Sequence, residues 1–156
     1  MLKTSSRPRG RRPAATAVEF AFMAPVFFLM LLGIFEYARF LFTAQLMDNA
    51  AREGARYAVV NTATASTANI QTYVDSYMAG QGANELLHYD PVTNITVFKA
   101  DPSTGQNTGL SWQSATWGDG IGVTVSGAYQ PVTPGLLFLA GSVSVQATCV
   151  MTCEAN

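Results

Sequence analysis

The chain has 156 residues, of which 49% are hydrophobic and 12% are charged, about half the charged share of a soluble globular protein. Its net charge of −1 hides an asymmetry: five basic residues lie within the first twelve, whereas beyond residue 60 Lys99 is the only basic residue beside six acidic ones. This pattern is typical of a membrane protein with a cytoplasmic amino end, and a short basic arm without aromatic or folded basic surface argues against nucleic-acid binding.

An apolar run follows the basic head. Phe20 to Phe35 contains no charge over sixteen residues, which is ~24 Å of helix against a hydrocarbon core of ~30 Å. Continuation through Phe42 completes a span. The run is too long for a secretory signal peptide and lacks a small-residue cleavage site at its end. We therefore predict a basic leader over 1–14, one transmembrane helix over 15–43 and an extracytoplasmic domain over 44–156.

Four residues interrupt the apolar pattern. Glu19 lies at the cytoplasmic end of the span. A carboxylate there either sits at the membrane interface or pairs with a cation on a partner helix. Pro25 removes one backbone hydrogen bond and predicts a bend. Glu36 and Arg39 are three residues apart, so they share a helix face and can partly neutralise each other.

Beyond the span, the helix is predicted to continue with a smooth face. Ala50, Gly54 and Ala58 recur at every fourth position, so another backbone can approach closely. Two partners fit this face: a helix of another subunit, or the sheet of the chain's own domain.

A second helix and a small sheet complete the predicted domain. Ser66 or Thr67 caps a helix with an apolar stripe that ends at Gly80. The period then changes to two over Val92 to Lys99, Ile121 to Val125 and Val143 to Met151, whereas Leu110 to Trp117 is an ambiguous short edge strand. Short connections favour antiparallel pairing, which gives an α+β fold: a long helix carrying a second helix and a small antiparallel sheet.

The two cysteines lie near the carboxyl end. In a straight strand, Cys149 and Cys153 are separated by roughly 13 Å, too far for a disulfide. A bridge within the chain requires a turn after Thr152, and a bridge without that turn requires a second molecule. We expect the bridge within the chain, with two unbridged thiols as the alternative, because an extracytoplasmic setting permits disulfides.

No catalytic constellation is apparent. His88 is the only histidine, and one histidine with two nearby cysteines is a poor metal site. No nucleophile elbow or phosphate-binding glycine loop is present. We expect no enzymatic activity, no metal and no cofactor.

The residues around Glu19 carry a family resemblance. Ala14 to Phe20 resembles the processing motif of type IV pilin-like proteins, in which a small residue precedes the cleavage point and Glu and an aromatic residue follow. The segments AVEFAF, GIFEYARF and LMDNAAREGARYAVV, with Pro25 between the first two, resemble the TadE-like minor pilins of tight-adherence (Flp) pili. Val123 to Met151 resembles that family's closing strands.

The resemblance implies processing and assembly roles for individual residues. A prepilin peptidase would cut between Ala14 and Ala15, although Gly usually stands where Ala14 does. Glu19, followed by Phe20, would then be the fifth mature residue and would meet a neighbouring subunit's new amino terminus. The further positions implied in helix packing and assembly are Pro25, Gly33, Glu36, Arg39, Ala50, Gly54 and Ala58.

Two function classes follow. In the first, the chain is a minor pilin or pseudopilin of a bacterial adhesive pilus. It is anchored in the inner membrane by one span, with its domain in the periplasm, and contacts other pilins and the inner-membrane assembly platform; incorporation into the pilus itself is left open. In the alternative, it is a permanently anchored envelope protein whose outer domain binds a protein or a surface.

Overall fold

The computed structural model describes residues 12–135 and 140–153, and side chains from residue 15 onward. Most of the predicted leader, the apolar connection at 136–139 and Glu154 lie outside the described residues. The helices are α1 (Arg12–Val60), α2 (Thr67–Gly80) and the single turn α3 (Pro91–Asn94). The strands are β1 (Leu87–His88), β2 (Ile95–Ala100), β3 (Gly120–Tyr129) and β4 (Val143–Thr152), and 3₁₀ turns occur at Ala83–Glu85 and Trp112–Ser114.

Helix α1 changes character at Glu36. Its described side chains before residue 36 are exposed or half-buried, and most of them are apolar. From Glu36 onward, buried positions follow the three-, four- and seven-residue spacing of one helix face: Glu36, Thr43, Leu46, Met47, Ala50, Ala51, Gly54, Ala55, Ala58 and Val59. The domain therefore covers α1 from residue 36, seven residues before the predicted end of the span.

The sheet is antiparallel and centred on β3. Strand β4 pairs with β3 along all ten residues, from Tyr129↔Val143 to Gly120↔Thr152. On the other side of β3, β2 pairs with its first half and β1 with its last two residues. Alternate residues of β3, namely Ile121, Val123, Val125 and Tyr129, are buried in the core that α1 and α2 complete. The predicted α+β architecture is confirmed.

The second helix follows the prediction closely. The side chain of Ser66 accepts a hydrogen bond from the amide of Asn69, and the side-chain oxygen of Asn69 accepts one from the amide of Ser66, which forms a capping box. Ile70, Val74 and Met78 are buried, and the helix ends at Gly80. The remaining members of the predicted stripe, Tyr73 and Tyr77, lie nearer the surface, where the Tyr73 ring stacks on Tyr57 at 4.5 Å.

Two strand predictions are wrong in their bounds or their type. The strand predicted from Val92 begins at Ile95, because Asp90 caps a helical turn whose first residue is Pro91. Leu110 to Trp117 contains no strand. Its 3₁₀ turn buries Trp112, whose indole nitrogen donates a hydrogen bond to the hydroxyl of Thr67 at 2.9 Å.

The sheet lies along the outer half of α1. Tyr129, at one end of β3, contacts Glu36, whereas Met151 and Thr152, at the opposite end of the sheet, lie beside Arg56 and Val60. Ten residues of β3 extend over ~30 Å. One end of the sheet is therefore next to the bare part of α1, and the loop from Asp101 to Asp119 is at the other end.

Candidate functional site

The bare half of α1 is a continuous apolar surface. The helix from Ala15 to Val60 is long and apolar enough to cross a membrane, and no part of its most hydrophobic 18-residue stretch is buried within the chain. Phe20, Phe22, Met23, Phe27 and Phe28 are all more than half exposed. A continuous apolar surface of this size requires either lipid or another protein to cover it.

Glu19 lies on the exposed surface of this apolar helix, and Phe20, next to it, is 71% exposed. Among the described residues, Glu19 has no ion-pair partner. Its predicted pairing with a cation of another subunit stays a prediction. Ala15 is exposed near the start of α1, and the side chain of Ala14 is not described.

Two further positions of the span were predicted to act in packing. Helix α1 continues without a break through Pro25, and the predicted bend there stays a prediction. Gly33 has open space where a side chain would lie, with no atom within 4 Å of an added Cβ.

Glu36 is the junction between the bare helix and the domain. Its side chain is buried, and one carboxylate oxygen accepts a hydrogen bond from the hydroxyl of Tyr129. The other oxygen accepts a hydrogen bond from the amide of Val132 at 3.2 Å. A buried carboxylate needs such partners, because an unpaired one is costly. Glu36 therefore joins the end of β3 and the loop after it to α1.

Arg39 completes the junction on one side. Its Nη1 lies 3.6 Å from the Glu36 carboxylate, as the three-residue spacing predicts. The guanidinium carbon lies 5.9 Å from the centre of the Tyr129 ring, within cation–π range. Phe40 packs edge-on against the same ring at 5.6 Å. Both contacts fix the Tyr129 ring against α1, with its hydroxyl bonded to Glu36.

The environment of Tyr129 favours the neutral phenol. Burial, the hydrogen bond to Glu36 and the nearby negative charge raise the pKa of Tyr129 to about 12. The hydroxyl therefore remains a donor throughout the physiological range, as the junction requires.

The small-residue face of α1 packs within its own domain. Ala50 and Ala58 are fully inaccessible, and Gly54 is buried. A Cβ at Gly54 would lie 2.6 Å from Val74 and 3.1 Å from Val123, so α2 and β3 both approach the helix backbone there. Of the two partners that the sequence left open for this face, the domain's own sheet and second helix occupy it.

The expected disulfide is not formed. Strand β4 runs straight from Val143 through Thr152, and the structure shows no bond between Cys149 and Cys153. Cys153 is buried in the core and Cys149 is half-buried. Burial raises the pKa of the Cys149 thiol, which disfavours the reactive thiolate.

The loop at the far end of the sheet carries an ordered turn. Lys99 and Asp119 form an ion pair at 2.7 Å, and the backbone amide and hydroxyl of Thr116 also donate to that carboxylate. These contacts lower the pKa of Asp119 to about 2. Trp117, within this turn, is 76% exposed.

The sequence contained part of the signal for this site. The spacing of Glu36 and Arg39 was readable, but Tyr129 and Val132 were missed. The period-two pattern of Ile121, Val123 and Val125 continues at Tyr129, so its inward orientation could have been found. Its contact with Glu36 spans 93 positions and left no local signal.

Comparison with known proteins identifies one family in the amino-terminal part. Residues 14–56 match the model of the TadE-like protein family. The matched segment contains the bare half of α1, Glu36 and Arg39, and the small-residue face as far as Gly54 and Ala55. No curated protein and no solved structure matches the chain significantly. The match confirms the predicted TadE-like resemblance for this segment.

Proposed function

From this TadE-like segment at residues 14–56, we propose that the chain is a minor pilin or pseudopilin that functions in assembly of a tight-adherence (Flp) pilus. Helix α1 anchors it in the bacterial inner membrane, with the amino end in the cytoplasm and the domain in the periplasm. The observation that carries the proposal is the bare apolar half of α1, which projects from a small domain that buries only the other half. The role is structural and involves no catalysis.

The dimensions of α1 support this anchoring. Ala15 to Phe35 is 21 residues, or ~31 Å of helix, which matches the ~30 Å hydrocarbon core. The domain begins to cover α1 at the next residue, Glu36. The junction then lies at the outer membrane surface, where Tyr37 and Arg39 have the amphipathic character of interfacial residues.

Assembly requires a new cover for the bare helix once it leaves the lipid. The apolar helices of other pilin subunits provide such a cover by van der Waals packing. A prepilin peptidase removes the leader between Ala14 and Ala15, and the assembly platform then receives the mature subunit. Glu19 is the one acidic residue on the otherwise apolar surface before Glu36, and it forms an ion pair with the amino terminus of an adjacent subunit.

The test is replacement of Glu19 in the native host. For Glu19→Ala, we expect normal recovery in the membrane fraction but reduced pilus yield, because loss of a carboxylate eases insertion while removing the inter-subunit pair. The matched control is Glu85→Ala, which removes an exposed acidic residue of the domain. An unchanged yield of sheared pili for Glu19→Ala would exclude the packing role.

One observation favours a binding module as the second candidate function. Trp117 is 76% exposed, and the turn that carries it is fixed by the Lys99–Asp119 pair. Exposed tryptophans on ordered turns are frequent anchors of binding surfaces. The amino-terminal sequence of the membrane-extracted protein distinguishes the two: a chain that starts at Ala15 supports the pilin, and one that starts at Met1 supports a permanently anchored binding protein.

A further inference from the structure

An open groove of about 480 Å³ lies at the junction of the bare helix and the domain. Its size falls within the range of sites that hold small organic ligands. One wall is α1, and the other is the end of the sheet that contains Tyr129, with the loop after β3. The lining is almost entirely apolar: Gly33, Glu36, Tyr37, Phe40, Tyr129, Pro131 and Val143. Gly33 has no neighbour within 4 Å of an added Cβ, so the groove is open on the side of the span.

The position of the groove determines what can reach it. With α1 anchored as proposed above, Gly33 lies within the outer edge of the hydrocarbon core, and Pro131 and Val143 lie at headgroup level. The linkages that join the acyl chains of the outer leaflet to their headgroups lie at this depth. The groove is apolar, opens toward the hydrocarbon core and ends at the domain. This shape fits one acyl chain.

The charges beside the groove favour an anionic headgroup. The Glu36 carboxylate is already satisfied by Tyr129 and the Val132 amide. Arg39, next to the Tyr129 wall, is not: its Nη1 is buried and makes no hydrogen bond among the described residues, and its contact with Glu36 is a long 3.6 Å. The Arg39 side chain is 31% exposed, so a phosphate can approach the exposed part of the guanidinium, a group that binds phosphate well.

We propose that this groove binds one acyl chain of an anionic outer-leaflet phospholipid, whose phosphate contacts Arg39. The proposal rests on the membrane anchoring proposed above. A bound lipid of this kind covers the apolar walls of the groove, and its phosphate pairs with the exposed part of the Arg39 guanidinium.

The experiment uses the full chain in vesicles of phosphatidylcholine with a minor fraction of chain-brominated phosphatidylglycerol or chain-brominated phosphatidylcholine. Bromine quenches tryptophan at short range. Tyr37→Trp places a reporter in the groove wall, and Phe35→Trp is the matched control. Phe35 is also an exposed aromatic residue of α1, two residues earlier and about 160° around the helix. The wild-type chain gives the baseline from Trp112 and Trp117, which lie at the far end of the sheet.

We expect brominated phosphatidylglycerol to quench the Tyr37→Trp reporter with roughly fivefold higher apparent affinity than brominated phosphatidylcholine, the preference expected from one cation near an anionic headgroup. The Phe35→Trp reporter should show no preference. Arg39→Gln should remove the preference at position 37, and Gly33→Leu, which fills the groove from the span side, should reduce quenching there by both lipids.

Two failures are distinguishable. A protein that does not float with the vesicles would overturn the anchoring and the lipid site together. A protein that floats, but whose position-37 reporter is quenched equally by both lipids or is unaffected by Arg39→Gln, would overturn the lipid site alone. Quenching at position 37 that decreases with protein concentration would indicate a second helix in the groove, and this outcome too would overturn the lipid site.

Discussion

The hydroxyl of Tyr129 donates a hydrogen bond to the buried carboxylate of Glu36 and joins the end of β3 to the point where α1 leaves the domain. The same hydroxyl also lies 3.4 Å from the backbone oxygen of Glu36. The remaining contacts of β3 and β4 with α1 are largely apolar. The Tyr129–Glu36 bond and the bond from the Val132 amide to Glu36 therefore fix where this end of the sheet lies along the helix. The angle between the bare part of α1 and the domain therefore depends on these two bonds.

Removal of this hydroxyl should destabilise the domain. Tyr129→Phe keeps the ring contacts with Phe40 and Arg39 but leaves one oxygen of the buried Glu36 carboxylate without its hydroxyl donor, so that only the Val132 amide still donates to this carboxylate. We expect a loss of about 1.5–3 kcal/mol in the free energy of unfolding. The measurement is chemical denaturation of the full chain in detergent, followed by the emission of the buried Trp112. Tyr37→Phe, which removes an exposed hydroxyl, should change stability by less than about 0.5 kcal/mol. Equal losses in the two variants would contradict the prediction.

The raised pKa of Tyr129 predicts a stability change at alkaline pH. An unfolded tyrosine loses its proton near pH 10, whereas the folded residue keeps it to about pH 12. The unfolded state thus binds fewer protons in this window, so stability is fully present below pH 10 and decreases as pH rises toward 12. Burial and Asp75 also raise the pKa of Tyr89, so both residues contribute. Denaturation as a function of pH should show a shallower decrease for Tyr129→Phe and for Tyr89→Phe. An unchanged slope in Tyr129→Phe would exclude its contribution.

Addition of one methyl group at Gly54 should lower the stability of the domain. Gly54→Ala places a Cβ 2.6 Å from Val74 and 3.1 Å from Val123. The overpacking costs about 1–3 kcal/mol and is partly offset by up to ~1 kcal/mol of helix propensity, so we expect a net loss of roughly 1 kcal/mol. Gly80→Ala, in open space at the end of α2, should be neutral or stabilising. A double-mutant cycle with Val74→Ala should recover the loss; no recovery would mean that the clash is not with Val74.

The Lys99–Asp119 pair should be visible by carboxyl titration. The pKa of Asp119 is held at about 2 by Lys99 and by two hydrogen bonds from Thr116. In Lys99→Met, we expect the Asp119 pKa to move up toward its ordinary value of 3.8, measured by ¹³C NMR of the side-chain carboxyl. Asp101, whose pKa is lowered by Ser103 and Thr104 instead, is the internal control and should not change. A shift of equal size at Asp101 would indicate a general loosening of the loop.

Local patterns in the sequence determined the elements of this protein. Three local patterns predict helices, because the geometry of a helix places such residues on one face or in one continuous segment. They are the uncharged run from Phe20 to Phe35, the i, i+4 spacing around Gly54, and the stripe of Ile70, Val74 and Met78. The alternation at Ile121, Val123 and Val125, and that from Val143 onward, predicts strands for the same reason. The match of residues 14–56 to the TadE-like family lies in this locally readable part.

Contacts between distant residues could be decided only by the tertiary structure. Glu36 reads as the partner of Arg39, since a helix brings those two together, but its main partner is Tyr129, 93 positions away. The same holds for the two tryptophans, of which Trp112 is buried against Thr67 and Trp117 is exposed. It also holds for Cys149 and Cys153, whose separation depends on β4 pairing with β3 as far as Thr152. Periodicity specifies which way a side chain points on its own element, but it contains no information about which element lies opposite, because that depends on how all the elements pack together.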